Sequence, residues 1–538
     1  MNLPKSTWKL ILIMFLALIV IVGCSNDSNN NSSGGDGQTA NEDNEDNEEE
    51  ETKKKSVLNI ALDATPPTLD QPKNSATATR DVSRLIFESL ITTDAELKPQ
   101  PMLAESYEVS EDSKSYTFHL REGIKFHNGE EMTSEDVIAS MKRWLEVTNL
   151  SGSIFDGAEW TADGDYTVHL ELATPSALTI DTMATSKNAP AIMPKEIVEN
   201  APAEGVDEII GTGPFKLEEW RTDAFIHLTK YDDYQMRDEE PDGLWGRREA
   251  LVEDIYFHLV PDSSTRLAGL QSGEYDFAYS IPADNYDILQ NTDGVEPVLV
   301  PGSNTILKLN NVERMAGDKE FRKIINTALD YEEIMLAAFA SPDFYWLDSS
   351  YMHKDVLEWA SSAGNENFNI NDPEKAKQML EDYGYDGEEV VIMATRDYEY
   401  MYQIGVVVNE QLTNVGINSR LDVYDWPTLD EMESKTAEWD IEVMGISMTS
   451  TPPQLLMLSP TWAGGVNDEK ITGMLKEIES STDLDQAHQL WDELQEYAWD
   501  YLPIINLGGG NTLYGITDKV EGLEVPLGAV FWNTSVNE

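Results

Sequence analysis

A chain of 538 residues carries 99 acidic against 37 basic side chains, a formal net charge of −62, and one cysteine. That charge excludes nucleic acid and anionic lipid as partners, because both would be repelled, and a single cysteine excludes a disulfide within the chain. Like charges at this density push a compact state apart in dilute buffer, whereas concentrated salt screens them within a few ångströms, so the surface reads as a halophilic, acidic one.

In chain order, Lys5 and Lys9 precede an apolar run over residues 10–23, which has the length of a signal-peptide core and is short for a bilayer span. The run ends in Ile21-Val22-Gly23-Cys24-Ser25, which resembles the bacterial lipobox. Residues 1–23 are therefore expected to be a lipoprotein signal peptide, and Cys24 the lipidated, palmitate-bearing first mature residue on the outer face of the cell membrane. Residues 25–56 are almost entirely Asn, Ser, Gly, Asp and Glu, closing on the acidic run 48–51 and Lys53-Lys54-Lys55. With nothing apolar to bury, residues 24–56 read as the lipidated cysteine and a disordered acidic tether. From Val57 the composition changes abruptly, and the ~480 residues that follow exceed what one compact core usually holds, so two or three lobes are expected.

Val57 to Leu62 reads as a buried strand, which Thr65-Pro66-Pro67-Thr68 cannot continue because proline lacks the ladder donor. Ser115 to Leu120 alternates like a half-buried strand. Ser134-Glu135-Asp136-Val137 opens an amphipathic helix through Met141 and Trp144, with Thr133 or Ser134 as its cap. Residues 166–172 and 251–259 read as further strands, and Asp372-Pro373-Glu374 starts a helix through Leu380 with proline in its first turn. The pattern is α/β with mixed sheets.

Catalytic chemistry is thin. The seven histidines are scattered, with no pair at helical metal-ligand spacing, no nucleophile-elbow serine and no phosphate-cradling glycine loop. No cofactor, metal or catalytic residue is expected, and the chain is read as not an enzyme; a lipid-anchored hydrolase is the alternative.

Three blocks carry a family resemblance. Met102-Leu103-Ala104-Glu105-Ser106-Tyr107 is followed by Ser115-Tyr116-Thr117-Phe118-His119-Leu120-Arg121-Glu122-Gly123-Ile124-Lys125-Phe126-His127-Asn128-Gly129 and by Asp136-Val137. The second block is Ile210-Gly211-Thr212-Gly213-Pro214-Phe215-Lys216-Leu217-Glu218-Glu219-Trp220, and the third is Leu309-Asn310 with Phe321-Arg322 and Ala328-Leu329-Asp330. In order and spacing they resemble the family 5 extracellular solute-binding proteins of bacterial ABC importers, which include oligopeptide, dipeptide and nickel binders. The glycines of these blocks read as turn formers, Tyr116, Phe118 and Phe126 as core, and His127 as a hydrogen-bonded structural histidine.

The resemblance implies a two-lobed periplasmic-binding-protein-like fold with a hinge cleft and an extra N-terminal subdomain. Lobe I is expected from residues 57–75, 208–304 and 505–538, its inserted subdomain from 76–207, and lobe II from 305–504. It implies an extracytoplasmic, monomeric protein that captures a peptide-like or other small polar solute by lobe closure and delivers it to permease subunits and their ATPases. A nutrient-sensing lipoprotein is the alternative role, and an oligosaccharide or metal chelate the alternative ligand.

In the peptide-binding branch, a carboxylate in the second lobe pairs with the peptide's α-ammonium. The corresponding stretch here is Gly445-Ile446-Ser447-Met448-Thr449-Ser450-Thr451-Pro452-Pro453, with Thr449 at the carboxylate's place. A hydroxyl cannot neutralise an ammonium, so Ser447, Thr449 and the nearby Trp462 suit a neutral, hydroxyl- or amide-rich ligand. Arg396, Asp397 and Tyr398 follow the apolar strand 390–394, at the strand end where open α/β sheets bind ligands, and Asp397 could supply a carboxylate from there. An Arg396–Asp397 ion pair is the plain alternative. Thr65 and Pro66, after the first strand, and Trp426, an aromatic platform, complete the candidate contacts.

Overall fold

A computed structural model describes residues 54–148 and 153–538; the signal segment, Cys24 and the tether before Lys54 lie outside the described residues. Its backbone is one mixed sheet that runs through both lobes. The strand order is Ser419–Tyr424, Val390–Thr395, Ile441–Ile446, Val295–Leu309, Ile504–Thr517, Phe277–Ala278, Val57–Leu62, Asp254–Leu259, Phe225–Lys230 and Phe215–Arg221. Val57–Leu62 lies between two parallel neighbours, pairing Val57 with Asp254 and Ile60 with Phe277, and its apolar sequence suits a strand covered on both faces.

The two central strands are long, Val295–Leu309 with 15 residues and Ile504–Thr517 with 14. They pair antiparallel from Val295 opposite Thr517 to Lys308 opposite Ile504, with register shifts between Pro301 and Asn304 and between Thr305 and Ile306. Their outer ends join different lobes: Val295–Leu309 pairs with Ile441–Ile446 from Asn304 onward, while Ile504–Thr517 pairs with Phe277–Ala278 near its end. These are the two crossing segments of the hinge.

One core, around Leu58, Ile226, Phe257, Phe277 and Phe531, fills the first lobe. A second, around Phe321, Ile392, Ile404, Val443 and Trp499, fills the other and continues into the inserted subdomain. That subdomain is an antiparallel sheet of Ala104–Val109, Ser115–Leu120, Thr167–Glu171 and Glu159–Ala162, covered by the helix Ser134–Val147. Tyr116, Phe118 and Leu120 alternate inward along their strand, as a half-buried strand requires. Thr133 caps the helix, its N–H donating to Asp136 Oδ2 at 2.8 Å in a reciprocal capping box. Asp372 caps Pro373–Tyr383 through Lys375 N at 2.9 Å.

Two boundaries differ from the sequence reading. The strand expected over 251–259 begins only at Asp254, since Leu251 is exposed. Residues 77–87 and 191–206, expected in the insert, contribute Ala78, Val82, Phe87, Met193 and Val206 to the first-lobe core. The helix Thr77–Ser83 is held there by polar contacts as well: Ser83 Oγ donates to Leu69 O, and Arg84 Nη2 to Leu527 O, both at 2.9 Å.

Candidate ligand-binding cleft

The crossing strands owe their close packing to glycine. A Cβ on Gly302 would lie 2.6 Å from the carbonyl oxygen of Gly510 on the facing strand, so a side chain there would force the two backbones apart. Beside this crossing a cleft opens between the lobes as adjoining cavities that share Ser186.

The widest encloses about 850 Å³, open solvent included, and is lined by Arg80 and Gly528 of the first lobe, Lys187 of the insert, Tyr514 of a crossing strand, and His353 and Ser447 of the second lobe. A second chamber, about 510 Å³ with open solvent included, is lined by Asp181 and Thr185 of the insert and by Glu358, Trp359, Met448 and Thr449 of the second lobe. Insert and second lobe also meet away from these cavities: Ala177 N donates to Ser481 O at 2.7 Å, and Ser113 Oγ to Thr482 O at 3.3 Å. The insert and the second lobe are therefore in direct contact.

Charge is distributed unevenly along the cleft. Arg80 Nε lies 2.7 Å from Asp81 Oδ1, and the fully buried Asp81 also accepts from Tyr279 OH at 3.1 Å. Burial acts to lower the Arg80 pKa, but the Asp81 charge and hydrogen bond outweigh it and the net shift is upward, so this guanidinium stays charged. Gly528, at φ +94°, lies against this pair; a Cβ there would stand 2.1 Å from Arg80 Nη2. Burial lowers the Lys187 pKa. Burial likewise depresses His353, whose Nε2 lies 2.9 Å from Gly302 O and whose Nδ1 faces Asp355 N at 3.3 Å, an arrangement that suits the neutral ring. The wide cavity thus offers cationic and neutral donors together with the Asp355 carboxylate, while the second chamber offers the carboxylates of Asp181 and Glu358.

Of the residues singled out from sequence, Ser447 and Thr449 line these cavities. The others do not. Thr65 is exposed and Pro66 buried outside the cavity walls. Asp397 Oδ2 accepts from Trp426 N at 2.7 Å, at the start of the helix Trp426–Glu433, and Arg396 donates to Tyr402 OH at 2.8 Å while stacking 4.2 Å over its ring. The Arg396–Asp397 pair is thereby replaced by two separate contacts. Tyr398 is exposed and meets Trp426 edge-on at 5.2 Å. Trp462 packs on the ammonium of Lys308, 4.0 Å from the ring centroid. His127 is structural: Nε2 lies 3.0 Å from Gly213 O, Nδ1 accepts from Gly211 N at 3.3 Å, and burial depresses its pKa to about 4.

Sequence reasoning missed Arg80, Asp181, Lys187, His353 and Glu358. They come from separate segments, and no local pattern marks an acid or a base as cleft-facing in a chain with 99 acids.

Two lobes joined by paired crossing strands, with a charged cleft between them, define a bivalve binding protein. Residues 98–468 match the model of the bacterial extracellular solute-binding proteins, family 5, and the chain belongs to that family, the substrate-binding class of ABC importers. It is 26% identical over 473 residues, covering 83% of this chain and 87% of the relative, to a protein of Sinorhizobium fredii named as a probable peptide ABC transporter periplasmic-binding protein, y4tO. It is 25% identical over 466 residues, 79% of this chain and 82% of the relative, to the oligopeptide-binding protein AppA of Bacillus subtilis. Among solved structures, the periplasmic binding protein AgaA of A. tumefacien R10, in complex with agropinic acid, superposes with a TM-score of 0.73 at 25% identity, over 90% of this chain and 99% of that one.

Proposed function

We propose that this chain is a lipid-anchored receptor which captures a peptide-like or other small polar solute in the interlobe cleft and presents the closed form to permease subunits and their ATPases. The observation that carries the reading is the cleft itself, walled by both lobes, the insert and the crossing strands. A solute that touches both lobes favours the shut state by its differential affinity, which gives a permease a shape to recognise without any reaction. The names of y4tO and AppA support a peptide, and the agropinic acid of AgaA shows that the same architecture can hold another small polar solute.

The anchor rests on Cys24 alone. Cys24→Ser is expected to release processed protein into the medium or leave an uncleaved precursor, read by fractionation and N-terminal mass. A cleaved mutant that stays with the membrane contradicts the anchor. Mass spectrometry of the solute released by mild unfolding of protein purified from its host tests the cleft's role: a recurrent small polar compound, one per chain, is expected, and its absence at every preparation contradicts the reading.

A further inference from the structure

In a chain with 99 acidic and 37 basic side chains, four of the bases line two adjoining cavities of the cleft. The wide cavity has Arg80, on the helix Thr77–Ser83, and Lys187, in the turn after the helix Thr179–Met183. The cavity that shares Ser186 with it has Arg84 and Arg248. The carboxylates in these two walls are fewer and already engaged. Asp355 lies 2.7 Å from Lys354 Nζ, and Glu88 accepts from Tyr234 OH at 2.8 Å and from Thr212 Oγ1 at 2.9 Å.

The positive charge here exceeds its local countercharge. Arg80 Nε and Arg84 Nη2 lie 2.7 Å and 3.4 Å from the same atom, Asp81 Oδ1, so two guanidiniums share one carboxylate. Burial lowers the Arg84 pKa to about 10; Asp81 opposes the shift, and the charges of Arg80 and Arg248 add to it. Arg248 Nη1 stands 3.7 Å from Glu88 Oε1, beyond hydrogen-bond reach. Arg80 donates to Asp81 through Nε, and its Nη2 lies toward Gly528, itself a wall residue of the wide cavity. Lys187 is half-buried; among the described residues no carboxylate pairs with its ammonium, and burial lowers its pKa. A desolvated ammonium without a countercharge costs free energy that a neighbouring anion restores.

We propose that the wide cavity is an anion subsite, in which the Arg80 guanidinium and the Lys187 ammonium hold a carboxylate of the captured solute. The solute class is then acidic, where the sequence predicts a neutral ligand because Thr449 replaces a carboxylate. Arg84 and Arg248 stand in the adjoining wall and add to the attraction. The acidic surface of the rest of the chain repels an anion, so capture depends on these few side chains. A space of about 850 Å³, open solvent included, holds an organic acid and not only a small ion. The inference rests on the reading of the cleft as the solute site.

The test is calorimetry at neutral pH on protein stripped of solute by mild unfolding and refolding. The probes are acetyl-Ala-Glu-Ala-amide, its glutamine counterpart, which lacks the one charge, and citrate. Wild type is expected to bind the glutamate peptide at least about tenfold more tightly than the glutamine peptide, the scale of a hydrogen bond to a charged group. Lys187→Gln leaves no carboxylate without its partner and is expected to fold; it should lose most of the advantage, with affinity for the glutamine peptide unchanged. Arg80→Lys keeps a cation beside Asp81 but removes the planar fork, and should also weaken the glutamate peptide alone. Equal affinity of wild type for the two peptides overturns the proposal and leaves the cleft reading standing. An advantage that persists unchanged in Lys187→Gln or in Arg80→Lys overturns it as well. If neither peptide binds, the peptide reading falls and the subsite is judged on citrate: binding lost in Lys187→Gln upholds it, while binding that persists there, or none in wild type, overturns it.

Discussion

Lys308→Met is expected to destabilise the protein by about 3–5 kcal/mol at pH 9, the loss typical when one partner of a buried ion pair is removed. Lys308 is 1% exposed on a crossing strand, in contact with Glu433, 3.5 Å from Glu442 Oε2, and flanked by Trp439 and Trp462. Its cross-strand neighbour Glu442 is equally buried, and burial, opposed by Lys308 and reinforced by Glu433, raises the Glu442 pKa from 4.5 to about 8. A carboxyl with a raised folded-state pKa binds its proton more tightly in the folded chain. Its contribution to stability is therefore greatest below pH 4.5 and declines as pH rises to about 8. Without the ammonium the Glu442 pKa rises further, so at pH 9 the folded chain must either hold an uncompensated buried anion or take up a proton, whereas near pH 6 Glu442 is already protonated. Urea unfolding at the two pH values should show a clearly smaller loss at pH 6. A loss below about 1 kcal/mol at pH 9, the scale of an exposed pair, contradicts this account.

Asp70→Ala is expected to cost a similar amount, about 3–5 kcal/mol. Asp70 is fully buried behind the first strand; it accepts from Arg143 Nη1 at 3.0 Å and from Val206 N at 3.0 Å, tying the first lobe to the helix Ser134–Val147 of the insert. Removing the carboxylate leaves the buried Arg143 guanidinium without a countercharge. The double variant Asp70→Leu with Arg143→Met removes both charges and should recover much of the loss, read as the urea midpoint. A double variant as unstable as the sum of its parts would place the stability in the packing of these side chains rather than in their charges.

The elements that could be read from sequence are those whose signals are local. The alternation of Ser115–Leu120 and the capping box of Thr133 and Asp136 each arise within a few residues, so periodicity and caps suffice. The helix Thr77–Ser83 is different: its apolar face shows that it packs, but not on which core, and it turned out to serve the first lobe. The cleft was legible only in part. Ser447 and Thr449 lie within one stretch that aligns with a family pattern, whereas Arg80, Asp181, Lys187 and Glu358 converge from segments with no spacing in common. Asp397 looked available at a strand end, yet the unpaired N–H of Trp426 takes its carboxylate, a tertiary contact no local pattern announces.

The most direct test of solute capture in the interlobe cleft is the affinity of the co-purifying solute for wild type and for Ser447→Trp. Ser447 is exposed on the wall of the widest cavity, so an indole there fills the cleft without disturbing a core. One solute per wild-type chain is expected, with binding weakened at least about a hundredfold in Ser447→Trp, equivalent to about 2.7 kcal/mol, and the melting temperature of the unliganded protein unchanged. Equal affinity of the two proteins would contradict the assignment of the cleft.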